Sequence, residues 1–302
     1  MRLTSSRVIG VEQRPLGETG LNVSVLGFGA GRIGGPDISD QAVDRLVGAV
    51  LDAGINLIDT ARSYGLSEER LGRAVAPRRH QVLLSTKVGY GVPEVPDWTG
   101  PCITAGVDAA LGRLRTDHLD LVHLHSCGLY ILERRDVVDA LVRAVAAGKV
   151  RVAAYAGEGM ELIWAIRSGA FGAVQCSVSL VDQQALELVP EASARGIGVL
   201  AKRALGNAPW RFEARPPEGD VAEAWDRFGA LALDRRDIAW PALFLRFAAF
   251  APGVSSALVG TADVEHLAEA VTAVNQGPLE EEHVATMRAA FKRAGRAWSG
   301  RI

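Results

Sequence analysis

The chain has 302 residues, of which 48% are hydrophobic and 23% charged, and its formal net charge is −2. A chain of this length and apolar content can bury a large core, in one large α/β domain or in two small ones. Because the charge is nearly balanced and no long run of like charges occurs, nucleic acid and acidic membrane surfaces are not expected as main partners.

The sequence also predicts a cytoplasmic location. No segment reaches about 18 uninterrupted apolar residues, and residues 1–10 lack an apolar core, so neither a membrane anchor nor a signal peptide is expected. The three cysteines, Cys102, Cys127 and Cys176, are widely spaced and form no CxxC pair. This pattern is typical of a reduced protein without a disulfide framework.

Eight strand-helix units follow a predicted N-terminal hairpin at residues 14–29, where a Gly-Glu-Thr-Gly turn joins two short extended pieces. The predicted strands are 23–29, 55–60, 81–88, 119–125, 150–156, 172–178, 197–203 and 254–260. The predicted helices are 39–54, 67–76, 104–115, 135–148, 160–168, 183–195, 236–249 and 263–275. Mostly uncharged strand interiors indicate parallel strands that are buried on both faces.

Eight such units in about 250 residues predict a closed (β/α)8 TIM barrel. The alternative is a doubly wound open sheet, which would carry a glycine-rich dinucleotide turn after its first strand. The segment GFGAGRIGG only loosely resembles that turn. We therefore predict a single barrel domain over residues 1–302, with a pocket-shaping insertion at about 205–234 and an extra C-terminal helix within the tail 280–302.

Ionisable side chains end three consecutive predicted strands. Asp59, Lys87 and His125 occupy these positions, and Tyr64 follows in the loop after Asp59. Because parallel α/β folds place their chemistry at the carboxyl ends of their strands, these four side chains are expected to converge. Taken alone, Asp59 would more often be a turn or capping residue.

The four side chains together suit proton donation to an oxygen. A phenol is a poor acid at neutral pH, but a neighbouring ammonium stabilises the phenolate, and a carboxylate keeps the ammonium charged. Proton donation to a carbonyl needs a second reactant, for which a hydride donor is the natural choice. A Schiff base on Lys87 and a metal pair of His123 and His125 are the less favoured alternatives, and no metal site is predicted.

Eight stretches make the chain similar to the aldo-keto reductases over nearly its whole length. They are RPLGETGLNVSVLGFG (14–29), INLIDTARSYG (55–65), LLSTKVG (83–89), LDLVHLHS (119–126), GKVR (148–151), VQCSVSL (174–180), GIGVLAKRALGNAPW (196–210) and ALVGTADVEHLAEA (257–270). The resemblance implies an NAD(P)(H)-dependent oxidoreductase that acts on a small carbonyl or alcohol substrate. It also implies Tyr64 as general acid, Lys87 and Asp59 as its tuning pair, and His125 as the group that orients the carbonyl.

The resemblance also implies a cofactor site. Gln175 falls where the family holds the nicotinamide carboxamide, and Lys202, followed by Arg203, falls where many members stack an aromatic ring. Ala156 and Gly157 stand in place of the family's usual Ser-Asn pair. The implied cofactor-binding residues are Gly29, Gln175, Lys202, Arg203, Gly260, Thr261, His266 and Glu269.

Cofactor preference and substrate stay open at this point. Gly260 and His266 stand where the family binds the 2′-phosphate of NADP(H) with basic residues. Because a 2′-phosphate prefers Arg or Lys, the cofactor is either NADP(H) or NAD(H). Trp98, Cys127 and Trp210 are expected to line the substrate pocket, Cys127 as a small hydrophobe. Two other functions are compatible with the sequence: a regulatory or sensor barrel that binds nicotinamide nucleotide with little turnover, and non-redox carbonyl chemistry. The oligomeric state is not predicted.

Overall fold

The computed structural model describes residues 10–300, apart from the side chain of Arg296. The strands are β1 (Gln13–Pro15), β2 (Asn22–Ser24), β3 (Leu26–Gly29), β4 (Leu57–Asp59), β5 (Leu83–Val88), β6 (Leu119–His125), β7 (Val150–Ala156), β8 (Ala173–Ser177), β9 (Gly198–Lys202) and β10 (Ser256–Val259). The strands β3 to β10 form a closed barrel in the order β10-β3-β4-β5-β6-β7-β8-β9, and all of their pairings are parallel. The predicted (β/α)8 barrel is confirmed.

The α-helices of the described residues lie around or beside this barrel. They are α1 (Asp40–Asp52), α2 (Ser67–Val75), α3 (Gly100–Leu114), α4 (Leu129–Arg134), α5 (Asp136–Ala146), α6 (Gly159–Arg167), α7 (Val189–Ala194), α8 (Gly219–Leu231), α9 (Trp240–Ala249), α10 (Val264–Asn275) and α11 (Glu281–Ala294). The last of these is the predicted extra C-terminal helix. The final two residues of the predicted tail and the nine N-terminal residues lie outside the described part of the chain.

The predicted N-terminal hairpin is also confirmed, since β1 and β2 pair antiparallel. Its apolar residues Leu16, Leu21 and Val23 are buried in one cluster with side chains of the barrel strands, such as Leu57 and Leu121. The backbone of Gly17 lies so close to residues 196–198, where β9 begins, that a Cβ there would be 2.2 Å from a carbonyl oxygen. The hairpin therefore closes the amino-terminal end of the barrel, and the opposite end carries the predicted site.

Several helices differ from the prediction at their ends, for local reasons. The helix α3 begins at Gly100 rather than 104, because Thr99 accepts a hydrogen bond from the amide of Cys102 and Pro101 occupies the first turn. The predicted helix 183–195 is divided into a 3₁₀ turn at Gln184–Glu187 and the helix α7, whose first turn contains Pro190. The short helix α4 lies where a loop was predicted.

The insertion after β9 folds into a 3₁₀ turn (Pro209–Arg211) and the helix α8. Arg203, directly after β9, forms an ion pair of 2.8 Å with Asp220 in the first turn of α8. The buried Arg227 of α8 donates 2.9 Å to the carbonyl of Ser299, and its guanidinium lies 5.1 Å from the ring centroid of Trp298. These contacts fasten both the insertion and the C-terminal segment to the carboxyl end of the barrel.

Candidate active site

Three of the predicted side chains come from adjacent strands of the barrel. Asp59 is the last residue of β4, Lys87 lies near the end of β5, and His125 is the last residue of β6. The register places Asp59 beside Ser85 and Lys87 beside His123. Because neighbouring strands end at the same side of the sheet, the three side chains lie at the carboxyl-terminal mouth, as the sequence predicts.

Lys87 and Asp59 form a buried ion pair. The Lys87 Nζ donates 2.6 Å to Asp59 Oδ2 and 2.8 Å to the carbonyl of Thr60, while Ser85 Oγ donates 2.8 Å to Asp59 Oδ1. Burial opposes both charges, but the mutual attraction outweighs it. The pKa of Asp59 is therefore below its ordinary value and the pKa of Lys87 is above it.

Tyr64 lies beside this pair in the loop between β4 and α2. The Lys87 Nζ is 5.0 Å from the centroid of the Tyr64 ring, and the Tyr64 hydroxyl is among the hydrogen-bonding groups that raise the pKa of Lys87. A Cβ at Gly34 would lie 1.6 Å from the Tyr64 carbonyl oxygen. The glycine thus lets the 3₁₀ helix Ala30–Gly34, which follows β3, lie directly against the Tyr64 segment.

His125 completes the predicted set beside Tyr64. Its ring centroid is 6.4 Å from that of Tyr64, at an interplanar angle of 89°. Burial, followed by the positive charge of Lys87, lowers the pKa of His125 to about 3, so its imidazole is neutral at pH 7. Its Nδ1 is hydrogen-bonded at 2.7 Å to the hydroxyl of Tyr90. His123 lies deeper, where Ser85 Oγ is 3.0 Å from its Nε2.

A second polar group lies at the ends of β7, β8 and β9. Glu158 is 4% exposed and accepts 2.7 Å from the amide of Ser177, and its Oε1 is 3.3 Å from the Nζ of Lys202. Burial raises the pKa of Glu158 and lowers that of Lys202, and each charge opposes the shift of the other. Gln175 is 1% exposed, and its Nε2 has no hydrogen-bond partner among residues 10–300.

The glycine at position 157, where the resemblance implies an Asn, has a steric explanation. A Cβ at position 157 would lie 2.5 Å from the hydroxyl oxygen of Tyr155. That hydroxyl donates 2.9 Å to the carbonyl of Cys127, which keeps the buried Tyr155 ring in place. Any side chain at 157 would therefore collide with a fixed neighbour.

The last barrel unit brings Gly29 and Gly260 together. A Cβ at Gly260 would lie 3.2 Å from the Gly29 carbonyl oxygen. Thr261 Oγ1 accepts 3.0 Å from the amide of Asp263, whose carboxylate accepts 2.8 Å from the amide of Glu265 at the start of α10. His266 and Glu269 are exposed on α10, and His266 Nδ1 is 3.9 Å from the Asp263 carboxylate.

The three predicted pocket residues have different surroundings. Trp98 lies beside the site, because its ring is 5.8 Å from that of Tyr90. The Trp210 ring packs 4.7 Å from Phe244 in the apolar layer outside the barrel, and no described contact joins it to the four catalytic candidates. Cys127 is 2% exposed within the main core, and burial raises the pKa of its thiol to about 12. Cys127 is therefore a small hydrophobe, as expected, and it packs in the core.

Sequence reasoning missed three polar residues of the site. Ser85 is hydrogen-bonded to Asp59, Tyr90 is hydrogen-bonded to His125, and Glu158 forms an ion pair with Lys202. Ser85 has a readable signal, since it precedes Lys87 by two residues and side chains alternate along a strand with that period. Tyr90 and Glu158 lie in loops, where spacing alone does not indicate the direction of a side chain.

Comparison with known proteins gives the class of this barrel. The model of the Aldo/keto reductase family matches residues 25–292. The chain therefore belongs to the aldo-keto reductase family.

Individual relatives agree with this assignment. L-galactose dehydrogenase of Arabidopsis thaliana is 29% identical over 286 residues, which cover 88% of this chain and 89% of the relative. The PA4992 protein of Pseudomonas aeruginosa, assigned to the aldo-keto reductases, is 30% identical with a TM-score of 0.72, covering 90% of this chain and 98% of that one. The holo form of aldo-keto reductase AKR11C1 from Bacillus halodurans is similar in fold, with a TM-score of 0.82 at 24% identity and coverage of 93% and 96%.

Family membership makes the chain an oxidoreductase of the nicotinamide-dependent, carbonyl-directed class. Within residues 10–300, no helix is long and apolar enough to cross a membrane. No group of three or more His, Cys, Asp or Glu side chains in that part of the chain is arranged to hold a metal ion.

Proposed function

We propose that this protein reduces an aldehyde or ketone with NADH, or catalyses the reverse oxidation of the alcohol, with Tyr64 as general acid or base. The observation that carries the proposal is the meeting of Tyr64 with the buried Lys87–Asp59 pair and the neutral His125 at the barrel mouth. When bound, the nicotinamide would supply or accept the hydride at the carbonyl carbon.

Each of the four residues has a separate task in this proposal. Tyr64 gives its hydroxyl proton to the carbonyl oxygen as negative charge develops there. The Lys87 ammonium stabilises the negative charge left on the Tyr64 oxygen, and Asp59 keeps Lys87 protonated despite burial. A neutral His125 hydrogen-bonds the carbonyl oxygen and orients it without competing as an acid.

The residues present fit a nicotinamide cofactor. The Nε2 of Gln175 is buried and lacks a partner among the described residues, so it can donate to a carboxamide oxygen. Gly29 and Gly260 carry no side chains beside the start of α10, where the amides of a helix N-terminus could bind a phosphate, and a Cβ at Gly260 would lie 3.2 Å from the Gly29 carbonyl oxygen. Glu158 and Lys202 provide the polar groups next to Gln175 that positions 156 and 157 lack.

The charges around α10 favour NADH over NADPH. Residues 260–270 contain no Lys or Arg, and they contain Asp263, Glu265 and Glu269. The Asp263 carboxylate already accepts a hydrogen bond from the first turn of α10, where its charge would repel a 2′-phosphate. Lys202 is paired with Glu158, and Arg203 is paired with Asp220. Neither cation could therefore bind the 2′-phosphate without breaking an ion pair.

The test combines nucleotide binding with turnover. Quenching of tryptophan fluorescence by NADH and by NADPH, titrated separately at low salt, should give tighter binding of NADH. Turnover is measured with an aldehyde, a ketone and L-galactose, the sugar named in the Arabidopsis relative. Tyr64→Phe should lower kcat by about 10²–10⁴-fold, which is the usual contribution of a general acid to the rate. The dissociation constant for NADH should be unchanged.

Tyr130→Phe is the matched control, because it removes a hydroxyl from a tyrosine that is 66% exposed. It should leave kcat unchanged. Full activity of Tyr64→Phe would refute the assigned role of Tyr64. Nucleotide binding without turnover of any substrate by the wild type would instead favour the regulatory or sensor function.

A further inference from the structure

Tyr90 makes a contact with the site that the proposed mechanism does not use. It lies in the loop after β5, three residues beyond Lys87, and it is half-buried. Its hydroxyl oxygen is 2.7 Å from His125 Nδ1, and the two rings stack with centroids 5.5 Å apart and an interplanar angle of 25°. Tyr90 therefore covers the side of the imidazole that carries Nδ1.

The surrounding loop holds Tyr90 in this position. The Trp98 ring packs edge-on at 5.8 Å from the Tyr90 ring, and the Trp98 amide donates 2.7 Å to the carbonyl of Gly89. Gly89 has a φ of +138°, and a Cβ there would lie 2.1 Å from the Trp98 ring. The Tyr90 hydroxyl oxygen is also 3.1 Å from Ser63 Oγ.

A neutral imidazole has a single proton, so its two nitrogens have opposite roles. The pKa of His125 is lowered to about 3 by burial and by Lys87, and the ring is therefore neutral in the working range. The nitrogen that hydrogen-bonds a carbonyl oxygen must carry the proton. Since Tyr90 is bonded to Nδ1, the nitrogen left for a substrate is Nε2.

We propose that Tyr90 is a positioning residue that donates its hydroxyl proton to His125 Nδ1 and thereby fixes the imidazole in the tautomer whose Nε2 is protonated. The role of this tautomer in orienting a carbonyl rests on the reductase function proposed above. Ser63 Oγ, which lies 3.1 Å away as an acceptor for the Tyr90 hydroxyl, competes with His125 Nδ1 for the single phenolic proton. In this arrangement Tyr90 donates to His125 Nδ1, and His125 Nε2 donates to the carbonyl oxygen.

A hydrogen-bond donor at Nδ1 selects between the two tautomers. An imidazole nitrogen that accepts a hydrogen bond must keep its lone pair, so a phenolic donor 2.7 Å from Nδ1 leaves the ring proton on Nε2.

The tautomer is measurable without cofactor or turnover. In protein labelled with ¹⁵N at its six histidines, the two ring nitrogens of His125 have distinct shifts in each tautomer, and His125→Gln identifies the signals. The wild type should show only the form with a protonated Nε2. Tyr90→Phe keeps the ring and removes the hydroxyl, and it should show a mixture of both forms. Ser63→Ala leaves the Tyr90–His125 bond in place and should keep the wild-type form.

Kinetics supply the second readout. Tyr90→Phe should lower kcat about tenfold, the order of magnitude of one hydrogen bond, while the dissociation constant for NADH stays within about twofold of the wild type. Ser63→Ala should retain kcat within about twofold. A general structural defect would instead weaken nucleotide binding as well.

Two results would overturn the assignment of Tyr90. One is a wild-type His125 protonated at Nδ1, and the other is a Tyr90→Phe protein whose His125 keeps the wild-type tautomer. Absence of turnover in the wild type would refute the reductase function alone, because the nuclear magnetic resonance result is obtained in the nucleotide-free protein.

Discussion

Replacement of Asp59 by Asn should convert Lys87 into a buried lysine that titrates in an accessible pH range. Asp59 and Lys87 are 4% and 3% exposed, and the Nζ–Oδ2 distance is 2.6 Å. Removing one partner of such a pair typically costs about 3–5 kcal/mol, because the other charge is left buried. Asp59→Asn should therefore lose about this much unfolding free energy at pH 7.

The pH dependence distinguishes this mechanism from a simple loss of packing. In the wild type, the pKa of Lys87 is raised above its ordinary value, so the folded and unfolded states both hold this proton from pH 7 to about 9, and the group gives almost no slope there. In Asp59→Asn, burial is no longer offset and the folded-state pKa of Lys87 should fall below its unfolded value. The unfolded state then binds more protons, and unfolding free energy rises with pH by up to about 1.4 kcal/mol per unit.

Urea unfolding at several pH values from 7 to 10 measures this slope for wild type and variant. Asp120→Asn is the matched control, because Asp120 is 1% exposed and its carboxylate pairs at 2.9 Å with Arg79 and with Arg151. Arginine does not deprotonate in this range, so the control should be destabilised without a slope relative to the wild type. If both variants show the same pH dependence after subtraction of the wild type, the reasoning about Lys87 is refuted.

Two further predictions concern the mouth of the barrel. Burial holds the pKa of His123 near 4 and that of His125 near 3, so between pH 6.5 and 4 the unfolded chain binds more protons and stability should fall by about 1.4 kcal/mol per pH unit for each histidine. His125→Gln should reduce the slope measured by urea unfolding by about one proton, and an unchanged slope would contradict a neutral His125. Gly157→Ala should cost about 1–3 kcal/mol by collision with Tyr155, and a double-mutant cycle with Tyr155→Ala should recover most of that loss; additive costs would show that the collision is absent.

The barrel was predictable because its signals are local and repeated. Uncharged strands alternate with helices, and a carboxylate, an ammonium and an imidazole end three consecutive strands at Asp59, Lys87 and His125. Parallel pairing then brings these ends together without any further information. The start of α3 was also readable, because Thr99 is a suitable cap and Pro101 suits the first turn. The prediction instead followed the helix propensity of residues 104–115 and began the helix too late.

The loop contributions were not predictable in the same way. The contact between Tyr90 and His125 depends on the φ of +138° at Gly89 and on the Trp98 ring that packs over it. Neither follows from residue spacing, since a loop has no period that fixes the direction of its side chains. A single Tyr three residues after a strand lysine is equally compatible with an exposed ring.

The cofactor side of the site shows how one change in sequence requires others. Tyr155 at the end of β7 directs its hydroxyl to the carbonyl of Cys127 and leaves no space for a Cβ at residue 157. An amide side chain at that position is therefore impossible in this barrel, whatever the family usually places there. The next residue, Glu158, supplies a buried polar group instead, and its charge requires a cation within reach.

Lys202 is that cation. The resemblance to the family implies an aromatic ring at this position in many members. An aromatic side chain there would leave Glu158 as a buried carboxylate bonded to the amide of Ser177 but without its ion pair. The residues at 155, 157, 158 and 202 thus depend on one another physically. Departures that look like separate losses of cofactor contacts in the sequence are, in the folded chain, one rearranged polar network beside Gln175.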